Sequence, residues 1–284
     1  MHIISLAINL PGPSAARRLQ DLGMRVTKVE PPTGDPMQLF SMDWYRAMTA
    51  GQEVVTLNLK DPVDRAKLDD SLAEADLLLT SSRLRALRGL KLGWAELHAK
   101  FPRLCQVAIV GYPDPRQDVP GHDLTYQAEI GLIQPPQMPM TLLADLHGAE
   151  QAASTALALL LRREQTGKAG YAEVALSDAA EVFAAPLKYG ATRQGGVLGG
   201  GVDGYRIYAA SDGWVALAAL EPSFMMRVQA QLDPIPANAE TIAAFLGSKT
   251  IAEIEAWGHE HDIPVCGVNE AYLGVPGHEA GSTT

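Results

Sequence analysis

The sequence of 284 residues contains only two cysteines, and it has no long apolar segment. Cys105 and Cys266 lie far apart without a CxxC or Cys/His spacing, so they predict reduced thiols and no metal site. The apolar stretch at the N terminus is too short to span a membrane, and no basic region precedes it. It therefore predicts a first strand and not a signal peptide, and we expect a cytoplasmic protein that does not bind membranes.

Positive charge is also scarce, because 23 lysines and arginines face 33 aspartates and glutamates, giving a net charge of −10. This balance argues against a generally basic surface for nucleic acid, but it leaves room for a local basic cleft that binds a phosphorylated ligand. The sequence has neither a GxxxxGK[ST] phosphate loop nor a GxSxG nucleophile elbow. Gly199-Gly200-Gly201 lacks the strand–GxGxxG–helix context of a dinucleotide site.

Strand-like and helix-like segments alternate along the first part of the chain. The predicted strands are His2–Ala7, Met24–Glu30, Glu53–Leu59, Asp76–Thr80, Leu104–Val110 and Tyr171–Ser177. Helical patterns are predicted between them at Ser14–Leu22, Asp64–Glu74, Trp94–Lys100, Leu124–Leu132 and Asp145–Arg163, and Pro11-Gly12-Pro13 is predicted to break the chain before the first helix. Alternating strands and helices predict an α/β fold with a Rossmann-like, mainly parallel sheet.

A glycine-rich segment divides the chain into two predicted domains. Residues 1–185 form the predicted large α/β domain, and residues 186–204 form a predicted flexible linker. Residues 205–270 predict a small α+β domain with a hairpin at Ser211-Asp212-Gly213 and helices at Pro222–Leu232 and Thr250–His261. Residues 271–284 predict a short, poorly ordered tail.

Three residues are candidates for acid–base chemistry, and each also has a purely structural interpretation. His122 follows a proline-rich loop and precedes a predicted helix, where an imidazole is accessible, but it also fits a surface loop. Asp145 lies at the start of the long helix, where backbone N–H groups stabilise anions, but it also fits a simple N-cap. Glu221 precedes Pro222 at a strand end, so it either orients an imidazole or merely begins a helix.

In their order along the chain, several segments resemble the family III CoA-transferases, the CaiB/BaiF family, which includes the α-methylacyl-CoA racemases. The segments are DLGMRVTKVEPPTGDP (Asp21–Pro36), LNLKDPVDR (Leu57–Arg65), EADLLLTSSRLRALRGLKLGW (Glu74–Trp94), PGHDLTYQAEIGL (Pro120–Leu132), the run Leu142–Ala180 and DGWVALAALEPSF (Asp212–Phe224). The resemblance implies an enzyme acting on acyl-CoA thioesters, with no cofactor beyond the coenzyme A of its substrate.

The resemblance implies two alternative chemistries. In the racemases, an aspartate matching Asp145 and a histidine matching His122 are opposed bases that exchange the α-proton, and a glutamate matching Glu221 supports the histidine. In the transferases, the matching aspartate is a nucleophile that forms acyl-anhydride and aspartyl-CoA intermediates. Because a one-aspartate mechanism has no need of His122, we favour the racemase, and we predict that Asp123 and Tyr205 support the site.

Coenzyme A binding is implied for Lys60 and Arg83, which match family positions near the nucleotide phosphates. Two further cations of the family pattern are replaced here by the segment Thr49-Ala50-Gly51-Gln52, and the resemblance ends near Val268. Weakened binding, or a non-catalytic CoA-binding relative, is therefore a further alternative. The family implies an interlocked homodimer, in which Glu221 would reach His122 across the dimer and a short C-terminal segment would loosen the interlock.

Overall fold

The computed structural model describes residues 1–271 and divides the chain into two compact units, one from Met1 to Ala184 and one from Ala185 onward. Of the predicted tail, residues 272–284 lie outside the described residues. The boundary between the units falls inside a helix that ends at Lys188. The predicted linker segment therefore includes the last residues of this helix and a glycine-rich turn at Val197–Gly201.

The first unit is built on a six-stranded sheet in which every neighbouring pair of strands is parallel. Its strands are β1 (His2–Ser5), β2 (Arg25–Glu30), β3 (Glu53–Thr56), β4 (Leu77–Thr80), β5 (Cys105–Val110) and β6 (Tyr171–Ala175). The spatial order is β3-β2-β1-β4-β5-β6, which is the strand order of a Rossmann-like sheet. The predicted α/β class and parallel sheet are confirmed.

Helices cover both faces of this sheet. They are α1 (Pro11–Asp21), α2 (Met37–Phe40), α3 (Met42–Thr49), α4 (Pro62–Ala73), α5 (Leu84–Gly89), α6 (Trp94–Lys100), α7 (Asp123–Glu129), α8 (Leu143–Thr166) and α9 (Leu176–Lys188). Successive strand residues point to opposite faces, so Ile3 packs in a core with α1 and α8 while Ile4 packs in a core with α4 and α6. This two-sided burial explains why LLLT in β4 is continuously apolar until its last residue.

The first helix begins earlier than the sequence predicted. Pro11-Gly12-Pro13 forms its first turn and does not separate it from the strand. Proline is tolerated in a first helical turn because its missing N–H would have no helical acceptor there. Gly12 is required by packing, since a Cβ at this position would lie 2.3 Å from the Cβ of Ala7. Helix α1 therefore starts immediately beside the end of β1.

The chain leaves the neighbouring strands β1 and β4 toward opposite faces of the sheet. After β1 it enters α1, which packs with α8, and after β4 it enters α5 and α6, whose leucines belong to the other core. The two loops therefore diverge at the carboxyl edge and open a crevice between them. In sheets of this topology, that crevice is where ligands bind.

The second unit contains a three-stranded antiparallel sheet and three helices. The strands are β7 (Tyr205–Ala210), β8 (Gly213–Ala218) and β9 (Val265–Gly267), and the helices are α10 (Pro222–Leu232), α11 (Ala239–Gly247) and α12 (Ile251–His261). The predicted hairpin at Ser211-Asp212 joins β7 to β8. Val215 and Leu217 of β8 pack with Ile242 and Ile254 in the core. Within residues 1–271, no helix is long and apolar enough to cross a membrane.

Candidate active site

A cavity of about 240 Å³ opens at the carboxyl edge of the parallel sheet, in the crevice between β1 and β4. The loops after β1, β4 and β5 and the first turn of α8 form its wall. Its lining residues are Ile8, Asn9, Pro11, Ser81, Ser82, Arg83, Ile109, Val110, Gly111, Gln117, Val119, Pro120, Gly121, His122, Tyr126, Asp145 and Leu176. The structure thus brings three predicted site residues, His122, Asp145 and Arg83, to one cavity.

Asp145 is the third residue of α8 and is largely buried in the cavity wall. Leu142 occupies the N-cap position, so the interpretation of Asp145 as an N-cap is wrong. The carboxyl group is therefore not occupied in capping the helix. Burial, and to a smaller extent the negative charge of the nearby Asp123, together raise the pKa of Asp145 to about 7. At neutral pH this carboxyl group exists in both protonation states.

The side chain of Asp123 is buried next to the first turn of α8, with an exposure of only 3%. Its Oδ2 accepts a hydrogen bond of 3.0 Å from the backbone N–H of Asp145. Its Oδ1 accepts a hydrogen bond from the amide of Gln127, which also donates to the carbonyl of Thr141 at 2.9 Å. Asp123 and Gln127 therefore fix the first turn of α8 and Thr141, two residues before that helix, and with them the position of Asp145.

His122 lies at the N-cap position of α7, where its backbone is extended and its side chain is exposed. The hydroxyl of Thr125 accepts a hydrogen bond from the backbone N–H of His122 and donates one to its carbonyl, at 3.0 and 2.7 Å. The imidazole lines the cavity, where a bound molecule can reach it.

Tyr126 is a cavity residue that sequence reasoning missed. It lies one helical turn after His122, is buried, and packs edge-on against Tyr112 with ring centroids 5.1 Å apart. Its hydroxyl fills the space beside Gly111 and Gly121, since a Cβ at these glycines would lie 2.5 and 2.7 Å from it. Burial raises the pKa of Tyr126, so the group stays a neutral phenol. The spacing of four residues from His122 was the signal in the sequence, because it places both residues on one side of a helix.

Lys60 lines a second, mainly apolar cavity of about 220 Å³. Its other lining residues are Leu6, Ile8, Val29, Glu30, Pro31, Pro32, Leu57, Asn58, Leu59, Ser82, Leu87, Leu90 and Leu92. Ile8 and Ser82 also line the first cavity, so the two cavities are adjacent. The two predicted nucleotide-binding residues, Lys60 and Arg83, are thus placed in neighbouring cavities and not in one.

A group of exposed cations lies on α5 and directly before and after it. It consists of Arg83, Arg85, Arg88 and Lys91, and none of them forms an ion pair with another described residue. In a protein with a net charge of −10, four cations within nine residues are a local concentration of positive charge, which attracts anions such as phosphates.

Glu221 and Tyr205 belong to the second unit. Glu221 is exposed at the N-cap position of α10, where its side chain makes no capping hydrogen bond, and Tyr205 is half-buried at the start of β7. The partnership of Glu221 with His122 and the supporting role of Tyr205 therefore stay predictions. Among the described residues, no group of three or more histidines, cysteines and acidic residues could hold a metal ion.

Comparison with characterised proteins gives two informative relatives. Over 44% of this chain and 34% of the relative, the sequence is 34% identical to cinnamoyl-CoA:phenyllactate CoA-transferase from Clostridium sporogenes. Over 79% of the chain and 62% of the relative, it is 27% identical to human alpha-methylacyl-CoA racemase. The matched stretches thus span between about a third and two thirds of these relatives.

Solved structures support the fold independently of sequence. The structure of the Mycobacterium tuberculosis protein Rv3272 matches with a TM-score of 0.82 over 97% of this chain and 86% of that one, at 23% identity. At this identity the likeness shows the fold alone. The family model of CoA-transferase family III matches residues 1–273. The ordered motifs, the Rossmann-like sheet and this match together show that the chain belongs to CoA-transferase family III.

Proposed function

We propose that the protein is an acyl-CoA racemase or epimerase that exchanges the α-proton of an acyl-CoA thioester between His122 and Asp145. One observation supports this most directly: in the cavity that His122 and Asp145 both line, the pKa of Asp145 is raised to about 7. A group whose pKa lies near the working pH releases and accepts a proton with similar ease. This property suits a residue that acts as a base in one direction of reaction and as an acid in the other.

In the proposed reaction, the Asp145 carboxylate removes the α-proton and the C–H electron pair moves toward the thioester oxygen, forming an enolate. A protonated His122 then returns a proton to the opposite face of the α-carbon, and the reverse reaction exchanges the two roles. We place the enolate oxygen near the first turn of α8, where the backbone N–H groups of Leu143 and Ala144 have no helical acceptor. The neutral phenol of Tyr126 supplies a further donor in the same wall.

We further propose that the second cavity and the α5 cations bind the nucleotide part of coenzyme A. An apolar cavity lined by leucines and prolines suits an adenine ring, and Lys60 and Arg83 suit its phosphates. Because the two cavities meet at Ile8 and Ser82, a single extended molecule would lie with its nucleotide in one and its thioester in the other.

The second candidate function is CoA transfer, which the name and identity of the Clostridium sporogenes relative favour. In that reaction the Asp145 carboxylate attacks the thioester carbonyl and expels the CoA thiolate, giving a mixed anhydride. The thiolate then attacks the aspartyl carbonyl, which releases the donor acid and leaves an aspartyl-CoA thioester. The acceptor acid finally repeats these two steps in reverse. His122 has no necessary part in this sequence.

The deciding experiment measures deuterium incorporation at the α-carbon of acyl-CoAs in D₂O. The racemase predicts exchange that is lost in Asp145→Asn and in His122→Ala and retained in His259→Ala, an exposed histidine of the second unit. A transferase predicts that an acyl-CoA donor with hydroxylamine modifies Asp145, with full activity in His122→Ala. CoA binding without either reaction would support the non-catalytic relative, and absence of CoA binding would contradict all three.

We also propose that the protein acts in the cytoplasm as an interlocked homodimer, in which Glu221 of one chain supports His122 of the other. Two inactive variants, His122→Ala and Glu221→Gln, test this when they are unfolded together and refolded as mixed dimers. A site shared between chains predicts that activity returns, since one of the two sites in a mixed dimer then contains both native residues. No recovery, or a monomer by light scattering, would contradict the shared site.

A further inference from the structure

Asn9 occupies an unusual place in the wall of the catalytic cavity. It lies in the short loop between β1 and α1, and its backbone φ is +64°, in the left-handed region that only glycine adopts freely. Asn9 lines the cavity together with His122 and Asp145. Its side chain is half-buried, and its carboxamide has no hydrogen-bond partner among residues 1–271.

A buried ion pair holds Asn9 in this conformation. The backbone N–H of Asn9 donates to Oδ1 of Asp35 at 3.0 Å, and the ammonium of Lys28 lies 2.7 Å from Oδ2 of Asp35. Lys28 also donates to the carbonyl of Ala7, two residues before Asn9, at 3.1 Å. Lys28 also forms an ion pair of 3.4 Å with Glu30, and Lys28, Asp35 and Glu30 are 0%, 2% and 4% exposed. The preceding residue, Ile8, makes two hydrogen bonds with the hydroxyl of Ser81. Its backbone N–H donates to this hydroxyl at 2.9 Å, and its carbonyl accepts from it at 3.0 Å.

This arrangement is costly, and the core does not require it. Asparagine tolerates a left-handed backbone better than other non-glycine residues do, so the main cost lies in the buried charges. Removing the three charges of Lys28, Asp35 and Glu30 from water costs several kcal/mol for each before their attraction is counted, and an apolar side chain at position 28 would carry no such cost. What the ion pair does provide is a fixed direction for the loop that presents Asn9 to the cavity.

The cavity wall contains several polar groups besides the proposed bases. They are Asn9, Ser81, Ser82, Arg83 and Gln117. A purely hydrocarbon acyl chain would take the free carboxamide of Asn9 out of water without giving it a partner, which costs about 1–3 kcal/mol. An acyl chain that contains an oxygen substituent would give the carboxamide both a hydrogen-bond partner and a direction.

We propose that Asn9 is a specificity-determining residue whose carboxamide hydrogen-bonds an oxygen substituent, a hydroxyl or a carboxylate, on the acyl chain of the substrate. The inference rests on the proposed function, because it takes this cavity to be the site of the acyl group. Lys28 and Asp35 are the positioning residues of this contact. The substrate class is therefore an oxygen-substituted acyl-CoA and not a simple alkyl acyl-CoA.

The variant Asn9→Gly tests this with little strain, since glycine adopts a positive φ freely and keeps the N–H that donates to Asp35. The α-proton exchange of butanoyl-CoA is compared with that of 3-hydroxybutanoyl-CoA and succinyl-CoA. We expect Asn9→Gly to lower kcat/KM about tenfold or more for at least one oxygen-substituted substrate. Without the carboxamide, the site has lost the hydrogen bond by which it would distinguish an oxygen substituent from a hydrocarbon chain. For butanoyl-CoA we expect a change of no more than about twofold. An equal loss for all three substrates, or no loss, would overturn the proposal.

The same comparison made by calorimetric binding separates this proposal from the proposed function. If none of the three acyl-CoAs binds to the wild-type protein, the proposed function fails. If all three bind equally to wild type and to Asn9→Gly, only the role of Asn9 fails. The variant Asn9→Ala, which combines loss of the amide with a strained backbone, reports the cost of the left-handed conformation as lower thermal stability than that of Asn9→Gly.

Discussion

The raised pKa of Asp145 makes the stability of the protein depend on pH in a way that one substitution removes. In the folded chain this pKa is about 7, against 3.8 for an ordinary aspartate. The folded state therefore binds the proton more tightly than the unfolded state does. The stability that protonated Asp145 contributes is fully present below about pH 4 and is lost as the pH rises through about 7, because above that pH the folded protein must hold the carboxylate as a buried charge.

The magnitude follows from the two pKa values. A difference of one pKa unit corresponds to 1.36 kcal/mol, so the full titration of Asp145 would cost about 4 kcal/mol of stability. With a folded pKa of about 7, roughly 2–3 kcal/mol of this falls between pH 5 and pH 8. Asp145→Asn has no carboxyl group to titrate and should lose this part of the pH dependence.

Urea unfolding followed by circular dichroism at pH 5, 6, 7 and 8 measures the difference. We expect Asp145→Asn to gain stability over the wild type as the pH rises, by roughly 2–3 kcal/mol between pH 5 and pH 8. Asp43→Asn, which removes the same charge from a side chain that is 96% exposed, should follow the wild-type curve. Parallel curves for wild type and Asp145→Asn would refute the raised pKa and with it the main support for the two-base reaction.

Three further predictions concern the neighbours of Asp145. Asp123→Asn removes a negative charge that raises the pKa of Asp145, so the acid limb of the pH profile of α-proton exchange should move to lower pH. An acid limb that does not move would show that burial alone raises this pKa. Gly111→Ala should destabilise the protein by about 1–3 kcal/mol through overlap with the hydroxyl of Tyr126, and adding Tyr126→Phe should restore most of the loss in thermal unfolding. Arg83→Ala should weaken CoA binding about tenfold at low salt and less at high salt, by calorimetry; equal loss at both would contradict a phosphate contact.

The sequence determined the fold class because its central strands β1, β4 and β5 are buried on both faces and are mainly apolar. Helical patterns alternate with these strands, and a parallel sheet covered by helices buries the apolar residues of both. The first helix shows where this reasoning fails locally. Pro11-Gly12-Pro13 resembles a break between elements, but the helix starts there because proline suits a first turn and Gly12 permits close packing on Ala7.

The candidate bases were also identifiable from the sequence, although their local context was ambiguous. Taken alone, His122 was as compatible with a surface loop, and Asp145 with a helix cap, as with catalysis. Only the ordered motifs around them gave a reason to assign both residues to one active site. The structure supplied the physical ground, by bringing both residues to one cavity through the loop after β5 and the start of α8.

Only the tertiary structure decided the electrostatics of the site. The pKa of Asp145 depends on burial and on Asp123, which is 22 residues away in the chain and bonds to its backbone. The role of Asn9 depends on an ion pair between Lys28 and Asp35 that the strand pattern RVTKVE does not indicate. Periodicity records which side of an element is apolar, whereas a pKa or a loop direction depends on groups from several elements that meet only when the chain is folded.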